Sequence, residues 1–205
     1  MREALFSQLA REVNLPTPAF RVVEDQDTGE SFFGSMRETS TVDDVQRKKF
    51  LRTERRDELG RFPEFPGRWF SQLYAFDLFI HNWDRSAANI IVLSDGPRRR
   101  LCPIDFAAAE LALHPFNQFP VASCETVQVA RRLRIVHGFF ADSALQMLKL
   151  LQAVPIAVFE SFFRAMPSDW LHTEERDILC AFWAGEGMHI RIEELQRGIT
   201  DGQIL

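Results

Sequence analysis

Three oxygen-bearing side chains, Asp84, Asn89 and Asp105, have the types and spacing to carry phosphoryl transfer. A hydroxyl attacking the terminal phosphate of a nucleotide needs a carboxylate to orient it and accept its proton. It also needs hard oxygen ligands that hold magnesium against the phosphates. Asp84 suits the first task, and Asn89 and Asp105 the second. Asp84 and Asn89 can occupy opposite ends of one loop, and a hairpin after residue 89 would return Asp105 to the same mouth. Apolar Ile104 before Asp105 and Phe106 after it would fix that carboxylate on a buried strand end. Taken singly, Asp84 and Asn89 are ordinary capping and turn residues. Their setting, between an apolar helix and a hairpin closing on Asp105-Phe106, favours the catalytic arrangement.

The elements that must position this set follow from periodicity. Trp69, Leu73, Phe76 and Ile80 form the apolar stripe of a buried helix, which delivers the polar run His81 to Asn89. Ile90 to Leu93, a Ser94-Asp95-Gly96-Pro97 turn and Arg100 to Ile104 read as the hairpin. Upstream, Phe6, Leu9, Ala10 and Val13 predict an amphipathic helix that stops before Pro16 and Pro18. Phe20–Glu24 and Ser31–Gly34 flank an Asp25–Gly29 reversal and read as another hairpin. Residues 43–61, dense in both signs of charge, predict a solvated helix, with Pro63 and Pro66 marking a loop after it. From about Glu125 to Gln203, helical apolar runs alternate with breaks at Pro155, Pro167 and Gly185. The expected class is α+β, mainly α, with a smaller part over residues 1–40 and a helical part over 41–205.

Composition narrows the partners. With 46% hydrophobic residues in 205, the chain can bury a real core. A net charge of −5 argues against general nucleic-acid binding, which needs a basic surface. Cys102, Cys124 and Cys180 form no C-x-x-C pair and are odd in number, which suits a reduced cytoplasm rather than a disulfide framework or a zinc site. No segment approaches the roughly 20 apolar residues of a membrane span, so no membrane partner is expected. His114, His137, His172 and His189 lack metal spacing, and His81 reads as a residue that orients its loop. Arg85 reads as a structural ion-pair partner. Arg98-Arg99-Arg100 reads as a solvated tip beside the second turn, with docking of an acidic partner as the minority alternative.

The block from Phe76 through Asp84-Arg85 to Asn89, followed by Pro103-Ile104-Asp105-Phe106, resembles the catalytic and metal motifs of HipA-like kinases. More distantly it is similar to the D-R-x-x-x-N loop of phosphoinositide kinases. Glu3 to Pro18 looks like that family's N-E helix with its G-L-P-x-P ending. Phe33-Gly34-Ser35 is similar to its F-G-S segment, and Met166 to Trp170 to its P-x-x-W. The resemblance spans nearly the whole chain and is specific only over residues 76–106. It implies a protein-kinase-like fold using ATP and Mg2+, with Asp84 as base and Asn89 and Asp105 on the metal. It further implies Glu3 as the helix Glu that pairs with a phosphate-binding Lys, and Met36 to Glu38 as the segment meeting adenine. The acceptor would be a Ser or Thr hydroxyl of a protein.

One departure is large. A kinase carries a Gly-rich loop and a strand Lys before that helix, whereas Lys48, Lys49 and Lys149 follow no glycine loop, and Gly185-Glu186-Gly187 reads as a helix break. The expected fold thus lacks the first strands of the smaller lobe. A start placed too late, a separate chain supplying those strands (an antitoxin-like or N-lobe partner), or a pseudokinase would each account for this. The remaining alternatives are a non-catalytic nucleotide- or protein-binding module of toxin-antitoxin type, and, more weakly, a metal phosphohydrolase.

Overall fold

The computed structural model describes residues 1–96, 98–113 and 121–204; Pro97 of the expected turn and His114 lie outside them. Among the described residues the chain forms two antiparallel hairpins and a helical body. Helix α1 (Arg2–Glu12) buries Leu5, Phe6, Leu9 and Ala10. It lies against α6 (Ile156–Arg164), where the Gln8 side chain donates to the Phe162 carbonyl at 3.2 Å. Strands β1 (Phe20–Glu24) and β2 (Ser31–Ser35) pair in the register Val22 to Phe33. Their turn closes because the Asp25 carboxylate accepts from the N–H groups of Asp27 and Thr28, both at 2.9 Å, while Gly29 takes φ 71°, a conformation open to glycine. Two strands alone hold together weakly in water. Trp170 pins this pair to the helical body by donating its indole N–H to the Ser31 carbonyl at 3.1 Å.

The segment after β2 runs along β3 (Ile90–Asp95): the Val42 N–H meets the Val92 carbonyl at 3.0 Å and the Ser94 N–H meets Ser40 at 2.9 Å. Helix α2 (Asp44–Arg52) is capped by Asp43, whose carboxylate accepts from the Gln46 N–H at 2.7 Å. It is shorter than the charge pattern predicts, because the chain turns extended at Thr53, and it is not wholly solvated, since Leu51 is buried.

Helix α3 (Glu64–Phe79) is the core of the fold. Regular helical dihedrals begin only at Pro66, because Phe65 is extended, so this proline starts the helix rather than marking a loop before it. From Phe70 to Phe79 nearly every side chain is buried, against α4 (Glu125–His137), α5 (Ala141–Gln152) and α8 (Glu186–Thr200). The buried Arg191 of α8 donates to the carbonyls of Phe79 at 2.6 Å and Leu78 at 2.8 Å, satisfying the Phe79 acceptor that α3 leaves open at its end and placing a cation on its negative pole.

Strand β4 (Arg98–Pro103) pairs with β3 in the register Ile90 to Pro103. Arg98, Arg99 and Arg100 therefore belong to the paired strand, not to a loose tip, although all three stay exposed. Pro155 caps α6, and Gly185 separates α7 (Thr173–Ala184) from α8, as the breaks in the pattern predict. The cysteines are free thiols. No single helix among the described residues is long and apolar enough to cross a membrane.

Candidate functional site

The loop His81–Asn89 is held from below by a buried ion pair. Asp77, two residues before the end of α3, receives two hydrogen bonds from the Arg85 guanidinium, at 2.8 and 2.9 Å, with both side chains 2% exposed or less. The same Asp77 carboxylate accepts from the Asn82 amide at 2.8 Å, and its backbone carbonyl accepts from the Asn82 N–H at 2.8 Å. His81, buried and at φ 56°, makes the reversal that lets the chain fold back onto α3. Thr126, in the first turn of α4, braces the loop from the side: its hydroxyl donates to the Asn82 carbonyl at 2.6 Å and accepts from the Arg85 N–H at 2.9 Å.

Arg85 also reaches the second arm of the site. One guanidinium nitrogen donates to the Ile104 carbonyl, and the group lies 4.7 Å from the centre of the Phe106 ring. Phe106 is fully buried and packs edge-on against Phe76 at 5.7 Å. Asp105 is thus clamped between two anchored neighbours and is exposed itself, at φ 63°. Asp takes that conformation more readily than most residues other than glycine, and holds it where its surroundings support the turn.

Here they do. Glu3 of α1 accepts from the backbone N–H of Asp105 at 3.0 Å and from that of Phe106. Burial pushes the Glu3 carboxyl above its usual range, and the two N–H groups counter this in part. Among the described residues Glu3 holds backbone donors of the Asp105 turn, and the Arg85 guanidinium favours its charged form.

Asn89 and Asp105 meet directly, the amide N–H donating to the carboxylate at 2.6 Å. The Asn89 amide oxygen is turned the other way and accepts from the Ser86 N–H at 3.1 Å and from the Ser86 hydroxyl, in a capping box around the short turn Ala87–Asn89. Hard oxygen donors on these two residues fit magnesium, which takes a few protein ligands and completes its shell with water and phosphate. For both to serve, the amide must present its oxygen where its N–H now lies.

An open cleft of about 720 Å³ is lined by Glu3, Met36, Glu38 and Asp105, together with Arg37, Thr39, Thr41, Asp43, Ile91 and Ile104 among others. Four of the six residues expected from sequence thus share one cleft, and Asn89 touches it through Asp105. Asp84 does not line it. It is exposed on the same loop and hydrogen-bonds to neither Asn89 nor Asp105. Sequence reasoning assigned Arg85 correctly as an ion-pair residue. It missed Asp77, Ser86, Thr126 and Arg191. For Asp77 a signal existed, a lone carboxylate on the apolar helix eight residues before Arg85.

No family model matches the sequence, and no curated protein matches it. Among solved structures it is similar to the Helicobacter pylori proinflammatory kinase CtkA, with a TM-score of 0.58 and 12% identity, over 98% of this chain and 83% of that one. Identity that low carries the fold alone. The chain has a kinase-like fold, α+β and mainly helical, with two small two-stranded sheets.

Proposed function

We propose that the chain is a phosphotransferase of HipA-like type, moving the terminal phosphate of ATP to a Ser or Thr hydroxyl of a protein with magnesium as the assisting ion. The observation that supports this best is the cluster at the cleft. Asn89 donates to Asp105, and Glu3 holds the backbone of Asp105 and Phe106, so the carboxylate is presented outward at a fixed place. Asn89 and Asp105 would hold the ion, which neutralises charge on the phosphates when bound. Asp84, exposed to solvent, takes the proton of the acceptor hydroxyl at its carboxylate. Met36 and Glu38, which line the same cleft as Asp105, provide backbone groups for adenine. A cytoplasmic setting suits the free thiols.

One observation favours a second reading, a non-catalytic nucleotide- or protein-binding module. Among the described residues the cleft carries Glu3, Glu38, Asp43 and Asp105 against a single cation, Arg37, and no lysine. Phosphates entering such a cleft meet repulsion unless metal ions or a partner protein, such as a separate lobe or an antitoxin-like chain, bring positive charge. Labelled ATP with magnesium and a mixed protein acceptor decides between them. The proposal expects label on Ser or Thr, reduced about 100-fold or more in Asp84→Asn. Nucleotide affinity that Asp84→Asn leaves unchanged, with no transfer even alongside a partner, selects the binding module.

A further inference from the structure

The Asn89 side chain stands between neighbours that fix which way its amide faces. On one side the Ser86 backbone N–H donates to the amide oxygen at 3.1 Å, and the Ser86 hydroxyl donates to it as well. On the other, the amide N–H donates to the Asp105 carboxylate at 2.6 Å. A backbone N–H can only donate and an ionised carboxylate only accepts, so both neighbours demand this orientation and oppose the reverse. The N–H therefore occupies the place beside Asp105 from which the Asn89 oxygen would meet a cation.

The backbones around this contact are held. The Asn89 N–H donates to the Ser86 carbonyl at 3.1 Å, the Asn89 carbonyl accepts from the Ile104 N–H at 2.9 Å, and Glu3 accepts from the Asp105 N–H at 3.0 Å. What is left to change is the last torsion of the Asn89 side chain, which is broad and two-fold in asparagine. Half a turn about it exchanges oxygen and nitrogen without moving either backbone. That half-turn gives up the bond to Asp105 and sets the amide nitrogen against the Ser86 N–H, donor against donor. The Ser86 hydroxyl adapts, because it can accept from the turned amide as it now accepts from the Ala88 N–H at 3.2 Å. The Ser86 N–H cannot.

We infer that Ser86 is a positioning residue of the metal site: its N–H and hydroxyl latch the Asn89 amide in the orientation that occupies Asp105, and binding of a divalent cation opens the latch by turning that amide. The metal-free Asp105 is thus answered by an N–H rather than left bare, and the capping box around the turn Ala87–Asn89 is coupled to the ion. This rests on the proposed function only in taking Asn89 and Asp105 as the holders of a divalent cation; it needs neither nucleotide nor transfer.

Hydrogen exchange of the Ser86 amide, followed by NMR in excess magnesium chloride or in potassium chloride of equal ionic strength, tests this without nucleotide. In the parent protein magnesium is expected to speed that exchange about tenfold or more, since the N–H loses its acceptor, and potassium to leave it unchanged. In Asn89→Asp both side-chain atoms are oxygens, so one can face Ser86 while the other meets the ion. Magnesium should then leave the Ser86 amide as protected as before. Asn89→Ala should weaken binding of manganese, read by electron paramagnetic resonance, about tenfold or more through loss of a ligand. A parent Ser86 amide that magnesium leaves protected, or one that opens equally in Asn89→Asp, overturns the inference. Manganese binding that Asn89→Ala leaves unchanged or tightens also overturns it, because Asn89 would then only shield Asp105. Magnesium-dependent transfer with a protected Ser86 amide sinks the latch alone, whereas absence of transfer with the expected responses intact sinks the phosphotransfer reading instead.

Discussion

Removing Arg85 tests whether the site is built on the Asp77–Arg85 pair. Both side chains are essentially inaccessible, and the pair carries two hydrogen bonds at 2.8 and 2.9 Å. In Arg85→Met the Asp77 carboxylate stays buried with only the Asn82 amide to answer it, and the Ile104 carbonyl loses its donor, while the Asn89 carbonyl keeps the Ile104 N–H. Breaking a buried pair from one side costs about 3–5 kcal/mol, because the remaining charge has no compensation. With a urea dependence near 3 kcal/mol per molar, at the upper end for small proteins, the unfolding midpoint should fall by about 1–1.7 M. Asp77→Leu should cost a similar amount by stranding the guanidinium. Combined in one chain, the two changes should cost at least about 1.5 kcal/mol less than their sum, since no lone buried charge remains. Urea melts of the two single variants and the double variant give all three numbers. Single variants that each cost under about 1 kcal/mol, or a double variant equal to their sum, would refute the reasoning, because the pair would then be solvated or uncoupled.

Glu3 gives a pH signature. Its carboxyl is raised above the usual 4.5 by burial, so the folded protein holds that proton more tightly than the unfolded chain does. Its contribution to stability is therefore complete below the unfolded pKa and is lost as pH rises through the folded value, so Glu3→Gln should flatten the decline that begins just above pH 4.5. An unaltered pH slope in that variant contradicts the assignment. Gly67 sits where an added Cβ would lie 2.3 Å from the His137 carbonyl. Gly67→Ala should cost about 1–3 kcal/mol by forcing α3 and α4 apart, and a thermal midpoint equal to that of the parent would show the contact to be soft.

Much of this arrangement was legible from periodicity. The apolar stripe Trp69 to Ile80, the polar run after it and the hairpin closing on Asp105-Phe106 are local patterns, and the structure has them in that order with Asn89 against Asp105. What was not legible depends on contacts distant in sequence. Nothing near Glu3 announces that it will hold N–H groups more than 100 residues away, and nothing near Thr126 or Arg191 marks them as braces for loop and helix ends. Helix α2 was overextended because charge density alone cannot locate its end, which is set by the extended backbone at Thr53. The spacing of Asp84 and Asn89 along one loop does not fix whether their side chains meet: Asn89 reaches Asp105, whereas Asp84 does not line that cleft.

The most direct test is calorimetric titration of the chain with a non-hydrolysable ATP analogue, with and without magnesium, for the parent protein and Asp105→Ala. The account predicts binding that requires magnesium and is lost in the variant, with the folded state unchanged by circular dichroism. Absence of magnesium-dependent binding in the parent, or affinity that Asp105→Ala leaves intact, would contradict it.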